Sequence, residues 1–87
     1  MGVAIRNLND IAKRFRTSGE YGVTVLKSKG YVKVRIGYTG LPDNYMKWTQ
    51  DREDWAKQIA INNDLKFELE HAKDCNGVLT SLRVYMS

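Results

Sequence analysis

Apolar residues recur along this chain with two different spacings, and the switches between them mark its elements. Leu8, Ile11, Ala12 and Phe15 follow the i, i+3, i+4, i+7 spacing of an amphipathic helix. Asn7 suits the N-cap with Asp10 three residues on, and Gly19 suits a left-handed stop, so a helix is predicted over 7–17. Arg6, Lys13, Arg14 and Arg16 then lie off the apolar stripe.

Over residues 21–38 the spacing changes to alternation on both sides of Lys29-Gly30, the pattern of a β-hairpin. A two-residue loop there pairs Ser28 with Tyr31, Lys27 with Val32, Val25 with Val34, and Val23 with Ile36. Val23, Val25, Val32, Val34 and Ile36 then share one face, and Thr24, Leu26, Tyr31, Lys33 and Arg35 share the other. Pro42 and Asp43 suit the centre of a type I turn. Residues 45–49 read as a third strand, with Met46 and Trp48 inward and Tyr45 and Lys47 outward. The alternative is a first helical turn with Pro42 at its start.

Helical spacing returns at residues 51–63. Asp51, Glu53 and Asp54 stand where the positive end of the helix dipole favours anions, Trp55, Ala56 and Ile59 form the stripe, and Asn62-Asn63 are the stop. The chain closes with a second alternating stretch around Asn76-Gly77, a strong hairpin-turn signal. A two-residue loop there pairs Leu69 with Val84, Phe67 with Met86, and His71 with Leu82 on the inner face. Glu70 then faces Arg83 and Glu68 faces Tyr85 on the outer one. The expected fold is a single α+β domain over 1–87, an antiparallel sheet with two helices packed on one face. The two helix-plus-hairpin halves are not a duplication, because superposing Gly30 on Gly77 puts their inner faces out of phase.

Composition agrees with one ordered globule: 87 residues, 43% hydrophobic, a single proline. Cys75 is the only cysteine, which excludes an internal disulfide and a cysteine-based zinc site, and points to a reducing compartment. No apolar run approaches the ~20 residues of a membrane helix. The first residues lack the apolar stretch of a secretory signal, and Arg6 stands where a myristoylation motif needs Ser or Thr. A soluble, cytoplasmic protein is expected.

Charge changes the picture more. The net charge is +4, but residues 1–40 hold eight Lys and Arg against Asp10 and Glu20, whereas residues 41–87 hold six against eight acids. The basic half is the half that carries the first hairpin, which suits a polyanionic partner. Catalytic sets are missing by contrast. His71 is the only histidine, and in an extended segment it stands roughly 13 Å from Cys75, too far for a nucleophile–base pair. A helix start accounts for Asp51, Glu53 and Asp54 without Mg²⁺, Arg83 accounts for Glu68 and Glu70, and no glycine-rich phosphate loop is present. Neither an enzyme nor a cofactor is expected.

The strongest binding candidate is the outer face of the first hairpin. Tyr31, Lys33 and Arg35 project together, Lys27 and Lys29 crown the turn, Tyr45 and Lys47 join from a third strand, and Lys13, Arg14 and Arg16 add a basic helix. Flexible cations meet phosphates, and tyrosine rings or guanidinium planes meet bases and sugars. The plain structural reading of the same residues is a solvated sheet face whose lysines keep the sheet from aggregating. From "GYVKVRIGY" through "YMKWTQDREDWAKQI" the chain resembles the arm-type DNA-binding domains of phage integrases and AP2-like modules. Trp48, Thr49, Asp51, Glu53, Asp54 and Trp55 take the places of their strand end and helix start. The resemblance implies three strands followed by a helix, and DNA as the ligand.

Two functions therefore stand side by side. One is a non-enzymatic nucleic-acid-binding module, DNA or RNA, using the basic face and helix. The other is a small inhibitor or adaptor, of the phage or mobile-element kind, that blocks a larger, nucleic-acid-processing protein. Its contact surface would be the same basic face, or the acidic C-terminal hairpin with Tyr85 and Leu79 exposed. A homodimer through the edge of the C-terminal hairpin, with Val84 and Met86 on the last strand, is a further expectation.

Overall fold

A computed structural model describes residues 5–18, 22–40, 47–74 and 77–86. Helix α1 spans Leu8–Ser18. Its start is the predicted one: Asp10 N–H donates to Asn7 Oδ1 at 3.0 Å, and the Asp10 carboxylate accepts from Arg6 N–H at 2.8 Å. The proposed stop at Gly19 lies outside the described residues.

Strands β1 (Val23–Leu26) and β2 (Tyr31–Thr39) form the first hairpin. Val23 pairs with Val34, Thr24 with Lys33, Val25 with Val32, and Leu26 with Tyr31. This is two residues away from the predicted register. A two-residue loop of the favoured type requires positive φ at both central residues, which Lys29 would have to adopt. Instead residues 27–30 form a longer turn, closed by Lys29 and Gly30 N–H donating to Leu26 O, with positive φ only at Gly30 (79°). The slip is an even number of residues, so every side chain keeps its predicted face.

Helix α2 spans Gln50–Asn62, and Thr49 Oγ1 caps it by accepting from Arg52 N–H at 3.2 Å. Asn63 ends it, its side-chain amide donating to Ile59 O at 2.7 Å. Its buried face is rotated from the predicted stripe. Glu53, Ala56 and Ala60 are buried, while Trp55 and Ile59 flank the core only partly covered.

Strands β3 (Lys66–Asp74) and β4 (Gly77–Tyr85) form the second hairpin. Leu69 pairs with Leu82, Phe67 with Val84, His71 with Thr80, and Asp74 with Gly77. The register is again two residues from the predicted one, because Gly77 opens β4 rather than completing the turn. Cys75 and Asn76, between the strands, lie outside the described residues.

The four strands make one antiparallel sheet in the order β1-β2-β4-β3. Both helices pack on the same face. Ile11, Ala12 and Phe15 of α1 and Ala56 and Ala60 of α2 meet Val32, Val34, Ile36, Leu82 and Val84 in one fully buried cluster. Burying each large apolar side chain there contributes roughly 1.5–3 kcal/mol. His71 stands on this same side of the sheet but is exposed, its Nδ1 3.0 Å from Thr80 Oγ1.

This strand order corrects two expectations. The last strand, β4, is central, so Val84 and Met86 do not offer a free edge and the edge of the C-terminal hairpin is β3. The second neighbour of β2 is β4, so a meander of three consecutive strands is not what the described residues form. Lys47 instead makes a single parallel bridge to Tyr38, with Trp48 N–H donating to Tyr38 O at 2.9 Å. A bulge between Arg35 and Gly37 precedes this crossing, and a Cβ on Gly37 would lie 2.6 Å from Trp48 Cα. Only glycine admits that approach. Trp48 packs against the core as predicted. Tyr45, Met46 and the Pro42-Asp43 turn lie outside the described residues.

Candidate functional site

With both helices on one side, no helix among the described residues covers the other face of the sheet, and the registers place its side chains in rows across the strands. Leu26, Tyr31, Tyr85 and Lys66 form the first row, and Thr24, Lys33, Arg83 and Glu68 the second. Arg35, Ser81 and Glu70 form the third, where Arg35 N–H also donates to Gly22 O, and Tyr38, Leu79 and Ala72 the fourth. These four rows carry four cations, two carboxylates and three tyrosines. Tyr31, Lys33 and Arg35 project together as the alternation predicts.

Other predicted residues are dispersed. Lys13 and Arg16 are exposed and Arg14 half-buried on α1, in the layer behind the sheet. There Arg16 Nη2 donates to Val23 O of β1 at 3.3 Å. Lys27 and Lys29 are exposed at one end of the first hairpin, and Lys47 is exposed beside Tyr38. The basic helix and the basic sheet face therefore belong to different layers.

The open face is also more crosslinked than a row of free lysines. Lys33 Nζ lies 2.9 Å from Glu70 Oε2. Arg83 Nε donates to Glu70 Oε1 at 3.0 Å, and Arg83 Nη2 bonds the same oxygen. Arg83 Nη1 is 3.5 Å from Glu68 Oε1, which accepts from Tyr85 O–H at 2.7 Å. Glu70–Arg83 and Glu68–Tyr85 are the contacts expected from sequence, but they run diagonally: the residues directly opposite are Ser81 and Arg83. The Arg83 guanidinium carbon stands 5.0 Å from the centre of the Tyr31 ring, and the Tyr31 and Tyr85 rings are 5.5 Å apart. Tyr31 is consequently only 7% exposed, a core-like burial on the face predicted to be outer. Leu79, predicted exposed, is 9% exposed.

The hydrogen bonds from Arg83 and then Lys33 hold the Glu70 carboxyl below its ordinary value of 4.5, against the opposing effect of burial. The Glu70 carboxylate in turn holds Arg83 even more firmly protonated, and the bond to Glu68 pushes the Tyr85 hydroxyl above 10.0. Arg35 and Lys66 have no ion-pair partner among the described residues. The hydroxyl of Ser81, a residue only 1% exposed, is buried without a hydrogen-bond partner among them.

Among the acids at the start of α2, Asp51 and Asp54 are exposed while Glu53 is buried and fully engaged. It accepts from Trp48 Nε1 at 3.1 Å, Gln50 Nε2 at 3.3 Å and Lys57 Nζ at 3.0 Å. Its role is to lock Trp48 and α2 together, beyond meeting the helix dipole.

Sequence reasoning placed Arg83, Tyr85, Glu68 and Glu70 on a separate acidic hairpin and passed over Ser81, Lys66 and Tyr38 as site residues. Nothing local signals that β4 lies beside β2. No protein-family model, curated protein or solved structure matches this chain.

Proposed function

We propose that this chain is a small non-enzymatic nucleic-acid-binding module whose platform is the helix-free face of its sheet. The observation that carries this reading is the surplus of cations on that face. In these four rows Lys33, Arg35, Lys66 and Arg83 outnumber Glu68 and Glu70, alongside Tyr31, Tyr38 and Tyr85. Cations in this arrangement meet a phosphate backbone, and the half-exposed rings of Tyr38 and Tyr85 offer contact to sugars and bases. Lys27 and Lys29 extend the positive surface at the end of the first hairpin. Lys13 and Arg16, in the other layer, contribute to the long-range field that steers a polyanion rather than to the same footprint. The single cysteine and the absence of a membrane-spanning helix among the described residues suit a cytoplasmic site of action.

The test is a titration with duplex DNA, single-stranded DNA and RNA at two salt concentrations, followed through backbone amide resonances. Shifts are expected at Lys33, Arg35, Tyr38 and Arg83, with affinity falling about tenfold or more between 50 and 200 mM salt. Affinity indifferent to salt, or shifts confined to the helical layer, would count against the proposal.

A second reading is favoured by the interleaving of Glu68 and Glu70 among the cations. Alternating charge beside tyrosine and arginine matches the surface of a protein-binding inhibitor or adaptor, in which both signs find complements on a partner. Neutralising Glu68 separates the two: it should tighten binding to a nucleic acid and weaken binding to such a partner.

A further inference from the structure

Glu70 sits in the open face as an anion sits in a binding site. Its Oε1 accepts from the Arg83 guanidinium, while Oε2, buried and without a well-directed hydrogen bond, is ion-paired to Lys33 Nζ at 2.9 Å. The carboxylate stands beside Ser81 in the ladder, and Arg35 stands on the other side of that serine. Ser81 brings a buried hydroxyl with no hydrogen-bond partner among the described residues. The Arg83 side chain is positioned independently of Glu70, because it also lies over the Tyr31 ring at 5.0 Å. A forked guanidinium and an ammonium on one carboxylate, with a spare hydroxyl on the residue opposite it in the ladder, are donors of the kind that hold a tetrahedral oxyanion.

We propose that Lys33, Arg83 and Ser81 form a phosphate-binding site that Glu70 fills in the free chain, and that a phosphate of the bound nucleic acid replaces its carboxylate. This rests on the nucleic-acid reading above and adds how the site is kept closed. Glu70 belongs to β3, an edge strand, while Lys33, Ser81 and Arg83 belong to the central strands β2 and β4. The plug can therefore withdraw by side-chain rotation towards the sheet edge while its three partners stay in place. An internal competitor makes the site selective. Weak monovalent anions do not outcompete a tethered carboxylate, whereas a polyanion held by Arg35 and Lys66 as well presents its phosphates at high local concentration.

The experiment compares Glu70→Gln with Glu68→Gln, measuring affinity for a single-stranded oligonucleotide. Each variant removes one negative charge from the same face, but only the first vacates the site. The proposal expects about a tenfold tightening for E70Q and no more than about threefold for E68Q. Ser81→Ala placed in E70Q should return part of that gain. Equal gains for E70Q and E68Q would reduce the effect to net charge and overturn the site, as would no gain in E70Q. Should E70Q not fold, Glu70→Asp serves, since a shorter carboxylate cannot span Lys33 and Arg83. A gain between those of E68Q and a vacated site is then expected, and no gain overturns the proposal.

Inorganic phosphate as a second probe separates this inference from the function it rests on. Phosphate should shift the Arg83 Nε–H resonance in E70Q and not in the parent chain. If that difference appears while neither protein binds any oligonucleotide, the nucleic-acid reading fails and the anion site stands. If parent and E70Q bind the oligonucleotide alike and phosphate shifts nothing at Arg83, the site fails and the nucleic-acid reading stands.

Discussion

Lys33 and Val34 are adjacent on β2, yet they enter two chemically different surfaces. Val34 is wholly buried with Phe15 and Leu82 beneath the helices. Lys33 lies on the open side, paired to a carboxylate that is two strands away. The helix side is held by non-directional burial, in which each residue profits from whatever apolar neighbour it meets. The open side is held by directed pairs, and it works only because particular strands are neighbours. A face of the first kind tolerates a slip in register as long as side chains keep their side. A face of the second kind changes its partners with every slip.

Breaking the helix side should give the largest effect. Phe15→Ala removes a fully buried ring from the centre of the cluster and should destabilise by about 3–5 kcal/mol, measured by urea unfolding. A loss under about 1 kcal/mol would mean that α1 is not anchored through this side chain.

Glu53 sharpens the comparison, because it is a polar group on the buried side. Glu53→Leu leaves the Trp48 indole N–H and the Lys57 ammonium without their acceptor, and should cost about 1–3 kcal/mol. Trp48 fluorescence should shift along with stability.

The two carboxylates also predict the acid response. Burial pushes the Glu53 carboxyl up, but the bonds from Lys57, Trp48 and Gln50 together outweigh it, so its value, like that of Glu70, lies below 4.5. A depressed value in the folded state means that the stabilisation is complete above 4.5 and is lost as pH falls through the folded value. Unfolding midpoints should therefore be level from neutrality down to about 4.5 and then decline. E53Q and E70Q should each make that decline shallower, and an unchanged acid limb in both would refute the assignment.

Smaller effects follow at the margins. Thr49→Ala removes the cap of α2 and should cost about 1 kcal/mol. Lys33→Met should cost about 0–1 kcal/mol, since its pair with Glu70 remains partly open to water and Arg83 still holds the carboxylate. A Lys33→Met loss as large as that of Phe15→Ala would erase the distinction between the two faces.

The limits of sequence reading trace to the same distinction. The position of α1, its Asn7 cap, and the inward set Val32, Val34 and Ile36 were legible because they depend on spacings of a few residues. The stripe of α2 was legible only roughly. Burial of Glu53 in place of a fuller burial of Trp55 depends on where Trp48 arrives after the bulge, and that depends on Gly37. The shared face of Tyr31, Lys33 and Arg35 was legible, but the pairing of Lys33 with Glu70 and the stacking of Tyr31 on Arg83 were not.

Alternation along the strands thus determined, by itself, which side of the sheet each residue would take. Side chains repeat every two residues, so both hairpins could be registered two residues away and still present the correct faces. That same slip moves a side chain about 7 Å along its neighbour, which is enough to exchange one partner for another. Tertiary structure alone decided the partners, by inserting β4 between β2 and β3. Ion pairs act over a few ångströms, and no local pattern in the chain encodes which strands will lie that close.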